Sequence, residues 1–329
     1  LMIFDEAHRA VGNYAYPYIA KVYSYHNGLI LALTASPGSQ RQKIDEIKKR
    51  LFIDKIEIRD REDKDVLPYV QEMKQQWIEV ELTKPLQSIK EYLENCKNQR
   101  ITKLMTWRII HYPNVSKSQI LKLQEQLAKR KTGMSWAAMS MLAEVLKADH
   151  ALTLLETQCL GSLKCYFDSL MEQTNKKSVA RLLKDENFRN AMRLTSELLN
   201  EGHEHPKMEK LKEIIQEELQ KNKFASIIVF AQYRDTISKI NAELKSVKNA
   251  APVEFIGQAK KKGKGLSQKE QIQILNEFKM GFYNVLVASQ IGEEGLDITE
   301  TDTVIFYEPV PSAVRRVQRM GRTARTKAG

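Results

Sequence analysis

Gln318, Gly321-Arg322 and Arg325 fall at spacings of 0, 3, 4 and 7, which is one face of a helix. Two guanidiniums one turn apart can reach the same polyanion, and a phosphoryl-transfer transition state needs that kind of charge clamp. At the other end, Asp5-Glu6-Ala7-His8 follows the apolar run Leu1-Met2-Ile3-Phe4. Open α/β sheets place their ligands at the carboxyl ends of strands. A carboxylate there can hold Mg²⁺, mostly through water, while its neighbour orients an attacking water. Two carboxylates alone would be an ordinary strand end, but the apolar lead-in and His8 point to chemistry. An acidic pair and an arginine clamp together suggest a two-domain nucleotide motor with its site between them.

Three further stretches could touch a ligand. Thr34-Ala35-Ser36 closes the next apolar run, and its hydroxyls can hydrogen-bond the acidic loop; alone the tripeptide is a common strand-to-turn cap. Val285 to Ala288 runs through Ser289 into Gly292-Glu293-Glu294-Gly295-Leu296-Asp297. Glycines there let backbone approach a ligand closely, and Asp297 could accept from a ribose hydroxyl. Gln232, Tyr233 and Arg234 follow a third apolar run and could contact a phosphodiester backbone, or Asp235 could simply cap the next helix. The lysine-rich stretch from Lys260 to Lys264 reads as a solvated loop, and His203 and His205 as solvated linker residues.

These residues need elements to hold them, and the chain is long enough to supply two or three domains, at 329 residues and 38.0 kDa. Apolar content of 42% and charged content of 28% mark a globular protein rather than a disordered one. No apolar run approaches the roughly 20 residues of a membrane-spanning helix. A formal charge of +11 favours a polyanionic partner, although a merely basic protein would show the same total. Between Leu86 and Leu199 there are 18 Lys/Arg against 11 Asp/Glu, an excess of seven. Cys96, Cys159 and Cys165 show neither metal-ligand nor disulfide spacing, as in a reducing cytoplasm, and read as small buried or half-buried apolar residues.

The periodicity gives an α/β start, with buried strands at 1–4 and 29–33, helices at 16–25 and 39–51, and extended chain at 55–58 and 76–82. From about 85 to 199, three- and four-residue apolar steps predict three or four helices, broken near Pro113, Gly133 and Asn175. A linker at 200–206 precedes a second α/β portion. Strands there are expected at 226–230, 253–256, 285–288 and 303–306, and helices at 207–221, 235–244 and 268–280. Short apolar strands alternating with helices imply parallel sheets.

In this order the stretches resemble motifs II to VI of superfamily 2 helicases and translocases. Asp5 to Ala10 with Gly12 to Tyr16, Phe255-Ile256-Gly257-Gln258-Ala259, Gly292 to Asp297 and Tyr307 to Ala313 resemble the Hef/FANCM lineage, with RIG-I-like RNA translocases as more distant cousins. The resemblance implies two RecA-like parallel-sheet domains, the first truncated, with an all-α thumb-like insertion that grips branched DNA. Residues 1–84, 85–200 and 201–329 would be these three parts. ATP and Mg²⁺ would be the cofactors. Asp5 would be the Mg²⁺ ligand, Glu6 the base that activates water, and His8 a coupler to Gln318. Arg322 and Arg325 would be arginine fingers, with Gly295 and Asp297 at the nucleotide. Thr34, Gln232, Gln258, Ser289 and Gly292 would lie along the DNA strand, with Arg234 beside them.

The resemblance thus implies an ATP-dependent helicase or translocase on forked or branched DNA, cytoplasmic, or nuclear in a eukaryote. The other readings are a double-stranded-RNA-stimulated ATPase and a nucleic-acid-binding module without ATPase activity. The family's phosphate-cradling Gly-Lys-Ser/Thr loop has no counterpart in these 329 residues. The expectation is therefore an internal piece of a longer protein, inactive as an ATPase alone. Any nuclease domain of the Hef type would lie beyond Gly329.

Overall fold

The computed structural model describes every residue except 27, 36, 39, 61–62, 67–73, 131, 259–264, 290–300 and 310–329. The described residues fall into two compact units, one containing residues 1–76 and the other residues 77–289 and 305–309. In the first unit, β1 (Met2–Phe4) pairs in parallel with β2 (Ile30–Ala32), with Met2 opposite Ile30 and Phe4 opposite Ala32. A 3-10 turn (Ala7–Val11), α1 (Tyr16–Ser24) and α2 (Arg41–Arg50) pack a small core of Phe4, Ala7, Ala10, Ala20, Ile47 and Leu51. The expectation of two buried strands holds on one face only. Ile3, Leu31 and Leu33 are 54%, 43% and 47% exposed, because no described element covers that side. Continuous apolar runs suit strands covered on both faces, so the sequence signal overstated the burial. The stretches at 55–58 and 76–82 carry no regular structure and join no sheet among the described residues.

The second unit begins with six helices, not three or four: α3 (Lys84–Thr106), α4 (Lys117–Arg130), α5 (Gly133–Thr157), α6 (Leu160–Met171), α7 (Lys177–Leu182) and α8 (Glu186–Asn200). The three anticipated breaks are present. Two more, at Gln158-Cys159 and Leu183 to Asp185, lack glycine and proline and are made by tertiary bonding. Asp185 caps α8 by accepting from Phe188 N, and its other oxygen takes Arg100 Nη1 at 3.0 Å. Buried Arg100 also donates through Nε to Glu144 at 2.9 Å, and Glu144 accepts from Arg181 Nε at 2.7 Å. One ionic knot therefore ties α3, α5, α7 and α8. Two hydrophobic clusters flank it, one around Leu93, Leu155, Phe167 and Phe188, the other around Leu104, Ile120, Leu127 and Leu142.

Gly202, with φ of +77°, lets the chain leave α8 in the left-handed conformation that favours glycine. Pro206 then sits at the start of α9 (Pro206–Lys221), and the His205 ring caps it by accepting from Lys207 N at 3.2 Å. His205 is therefore not a solvated linker residue: it is 1% exposed, and burial pushes its pKa down to about 4. His203 is exposed, as expected, and pairs with Glu201.

The remaining elements are β3 (Ile227–Phe230), α10 (Arg234–Leu244), β4 (Pro252–Phe255), α11 (Gln268–Lys279), β5 (Val285–Ala288) and β6 (Thr303–Phe306). The sheet order is β4-β5-β3-β6, and β5 pairs in parallel with both β3 and β4. The central strands β3 and β5 are buried at every position, which explains their uninterrupted apolar runs. Ser267 and Glu270 form a reciprocal capping box at the start of α11.

A buried polar seam joins this sheet to the helices. Thr236 Oγ1 on α10 donates to Gln158 Oε1 at 2.7 Å and lies 3.1 Å from Ser162 Oγ on α6. This bond explains the extra break at Gln158, whose side chain is drawn to α10 instead of solvent. All three cysteines are free, and Cys165 is exposed on α6 instead of buried or half-buried.

Candidate nucleotide and nucleic-acid sites

The acidic motif is built by the turn that leaves β1. Glu6 adopts φ 49°, ψ 46°, a left-handed conformation that a side chain rarely takes. Its amide donates to Asp5 Oδ1 at 2.8 Å, its carbonyl accepts from Arg9 N, and the next amide, Ala7 N, donates to Leu33 O at 2.9 Å. Non-glycine residues hold such conformations where the surroundings over-determine them, and they cluster at functional sites. The turn leaves the Asp5 side chain exposed and brings His8 back over Glu6. His8 Nδ1 lies 3.2 Å from Glu6 Oε2 and 3.1 Å from Thr34 Oγ1. The hydroxyl expected to reach the acidic loop thus does so through His8. One exposed carboxylate at a strand's carboxyl end fits a magnesium held mainly by water and phosphate oxygens, not a cage of protein ligands. No group of three or more His, Cys, Asp or Glu side chains that could hold a metal ion occurs among the described residues.

In the second sheet, Phe230, Phe255 and Ala288 are level across β3, β4 and β5. The residues that follow them, Gln232, Arg234, Gln258 and Ser289, are therefore collected at one carboxyl edge of the sheet. Gln232 and Gln258 are exposed. Ser289 Oγ is buried and has no hydrogen-bond partner among the described residues. Arg234 Nη2 donates to Gly257 O at 3.1 Å, which fastens the start of α10 to the segment carrying Gln258. Asp235 does not cap α10: that position is Tyr233, and Asp235 lies in the first turn, where its charge suits the helix dipole. Gly292, Gly295, Asp297, Gln318, Arg322 and Arg325, with the lysine-rich stretch from Lys260 to Lys264, lie outside the described residues.

The sequence reading gave no individual role to Glu308, inside the Tyr307 to Ala313 stretch, or to Lys207, at the start of the expected helix 207–221. Glu308, 6% exposed, accepts from Gln232 N through both oxygens at 3.2 and 3.1 Å. Lys207 Nζ donates to Thr157 O at 2.9 Å and stands 4.4 Å over the Tyr307 ring. Burial pulls the Lys207 pKa down to about 8, against the opposing pull of Glu308. Together they link β6, the Gln232 backbone and the α5–α6 turn. The sequence signals for Glu308 were its place shortly after an apolar strand and inside the Tyr307 to Ala313 resemblance.

Comparison with known proteins places these features in a lineage. Residues 85–202 match the family described as "Putative ATP-dependent RNA helicase, helical bundle", and residues 206–327 match "Helicase conserved C-terminal domain". The crystal structure of the Pyrococcus furiosus Hef helicase domain superposes with a TM-score of 0.73 at 39% identity, over 98% of this chain and 68% of that one. A putative ATP-dependent RNA helicase of Methanocaldococcus jannaschii is 37% identical over all of this chain and 42% of its own length. The mouse Fanconi anemia group M protein homolog is 31% identical over all of this chain and 18% of its own length. The ATP-dependent DNA helicase fml1 of Schizosaccharomyces pombe is 30% identical over all of this chain and 42% of its own.

Two RecA-like α/β portions with an all-α insertion between them define a superfamily 2 helicase architecture. Within that class, the chain belongs to the Hef/FANCM family. It spans less than half the length of these curated relatives. Among the described residues, no helix is long and apolar enough to cross a membrane.

Proposed function

We propose that this chain belongs to an ATP-dependent DNA helicase or translocase acting on forked or branched DNA. The observation that carries the reading is His8, within 3.2 Å of Glu6 and 3.1 Å of Thr34, because it joins the acidic motif to a hydroxyl at the end of the neighbouring strand. The same reading divides the chain into a first RecA-like portion at 1–84, a thumb-like insertion at 85–200 and a second RecA-like portion at 201–329. The relatives named as DNA helicases favour DNA over RNA.

In this mechanism Asp5 would hold Mg²⁺, which would draw negative charge from the phosphates, Glu6 accepts the proton of the attacking water, and His8 passes the state of the acidic motif to Thr34 and to Gln318. Gly295 and Asp297 contact the nucleotide. Arg322 and Arg325 neutralise charge on the transferring phosphoryl group, a contribution on the order of 10³–10⁵ in rate. Thr34, Gln232, Arg234, Gln258, Ser289 and Gly292 track one DNA strand, and backbone contacts of that kind are independent of sequence. The free cysteines suit a reducing compartment, the cytoplasm or a eukaryotic nucleus.

The test is ATP turnover by the full-length protein with fork DNA, duplex RNA or no nucleic acid. Fork DNA should stimulate most. Stronger stimulation by duplex RNA, the property of the RIG-I-like alternative, would overturn the DNA assignment.

A further inference from the structure

The positive charge of the helical portion is concentrated at one end. Residues 97–143 hold nine Lys/Arg and a single acid, Glu125, whereas the rest of 86–199 holds nine against ten. This distal lobe comprises the second half of α3, all of α4 and the first half of α5, packed around its own cluster of Leu104, Ile120, Leu127 and Leu142. Lys103, Arg108, Lys117, Lys122, Lys129 and Arg130 are all exposed, and none is ion-paired among the described residues. Most of the lobe's charge is therefore uncompensated by the protein itself.

Within this lobe a groove of about 530 Å³ opens between α4 and α5, lined by Gln124, Glu125, Ala128, Trp136, Met139 and Ser140. Trp136 is 59% exposed, yet its backbone is fixed, because Trp136 N donates to Thr132 O at 3.1 Å in a first turn capped by the Thr132 hydroxyl. An exposed indole on an anchored backbone is a stacking platform for a nucleobase, and every base offers a π-face to it. The mostly apolar lining suits a base better than a phosphate. The Glu125 carboxylate would repel a phosphate but can accept from an exocyclic amino group, while Gln124 Nε2 and Ser140 Oγ are already engaged, with Met139 O at 3.2 Å and with Arg181 Nη2. Lys122 and Lys129 lie three residues before and four after Glu125, on the same side of α4, placed for the phosphates on either side of such a base.

We propose that the groove beside Trp136 takes an unpaired base of a DNA strand, with its flanking phosphates on Lys122 and Lys129. The inference rests on the DNA reading of the preceding subsection and deepens it. A base inside duplex DNA is stacked and paired and cannot enter the groove, so the lobe would favour junctions with unpaired nucleotides over plain duplex.

The experiment compares Trp136→Ala and Trp136→Phe in the full-length protein, binding at fixed salt a fork with unpaired arms and a blunt duplex of equal length. Loss of one stacked base weakens binding by roughly 5- to 150-fold. Trp136→Ala should lose that much on the fork and nothing on the duplex, and Trp136→Phe should recover most of it. Equal loss on both substrates, or loss on neither, would overturn the proposal. Conversion of a self-associated protein to monomers by Trp136→Ala in sedimentation would also overturn it, by assigning the groove to a second copy. Failure of the unsubstituted protein to bind either DNA would instead remove the DNA reading on which the proposal stands.

Discussion

Glu144→Ala should be among the most damaging single changes in the helical portion. The Glu144 side chain is 4% exposed and accepts from Arg100 Nε at 2.9 Å and Arg181 Nε at 2.7 Å. Its removal leaves the Arg100 guanidinium, 10% exposed, with Asp185 at 3.0 Å as its remaining carboxylate. Removing one partner of a buried ion pair costs about 3–5 kcal/mol, because the other charge stays buried. Asp185 moderates that penalty, so the lower end, about 3 kcal/mol, applies. Arg181 is about half exposed and adds at most about 1 kcal/mol. Hydrogen exchange of the α3 and α5 amides in the native protein reads this portion alone. Exchange of the slowest amides should accelerate by about two orders of magnitude, since a tenfold change corresponds to about 1.4 kcal/mol. The double variant Arg100→Met/Glu144→Leu should recover much of the loss, because it removes the stranded charge and retains apolar volume. Acceleration below about fivefold, or a double variant as damaged as the sum of its parts, would refute the assignment of Glu144 as the centre of the knot.

Two further outcomes concern the seam between helices and sheet. Lys207 is charged in both folded and unfolded chains below its folded pKa of about 8; between there and its ordinary 10.5 only the unfolded chain keeps the proton. Stability relative to Lys207→Met should therefore rise as pH climbs through that window, by roughly 3 kcal/mol in total. A difference that stays flat from pH 7.5 to 10.5 in denaturation would exclude a buried charged amine. Thr236→Val strands the Gln158 carbonyl oxygen inside the seam and should destabilise by about 1–3 kcal/mol in the same denaturation measurement. A neutral result would mean that the hydroxyl makes no net contribution there.

What could be read from the sequence was local. The apolar runs of β3 and β5 announced central strands of a parallel sheet, and the small residues after β2 announced a turn within reach of the acidic loop. Pro206 read as the end of the linker and proves to be the first residue of α9, and His205 before it read as solvated, since nothing nearby shows that a ring is buried. The breaks at Gln158 and Asp185 carry no glycine or proline. They form because Thr236 and Arg100, distant in sequence, supply better partners than the next helical turn. Glu308 and Lys207 were illegible for the same reason: a charged side chain beside a strand looks alike whether it faces water or a backbone amide across the sheet. The half-exposed faces of β1 and β2 erred the other way, because periodicity reports what a strand can bury and not what lies against it.

Glu6→Gln in the full-length protein probes the proposed general base most directly. The substitution keeps the size of the side chain and removes its capacity to take a proton. ATP turnover in the presence of fork DNA should fall by about 10²–10⁴-fold, the contribution of a positioned acid or base. Fork binding, measured alongside, should be unchanged. Turnover that persists at the unsubstituted rate would contradict Glu6 as the base and, with it, the reading of the Asp5–His8 turn as the hydrolytic half of the site.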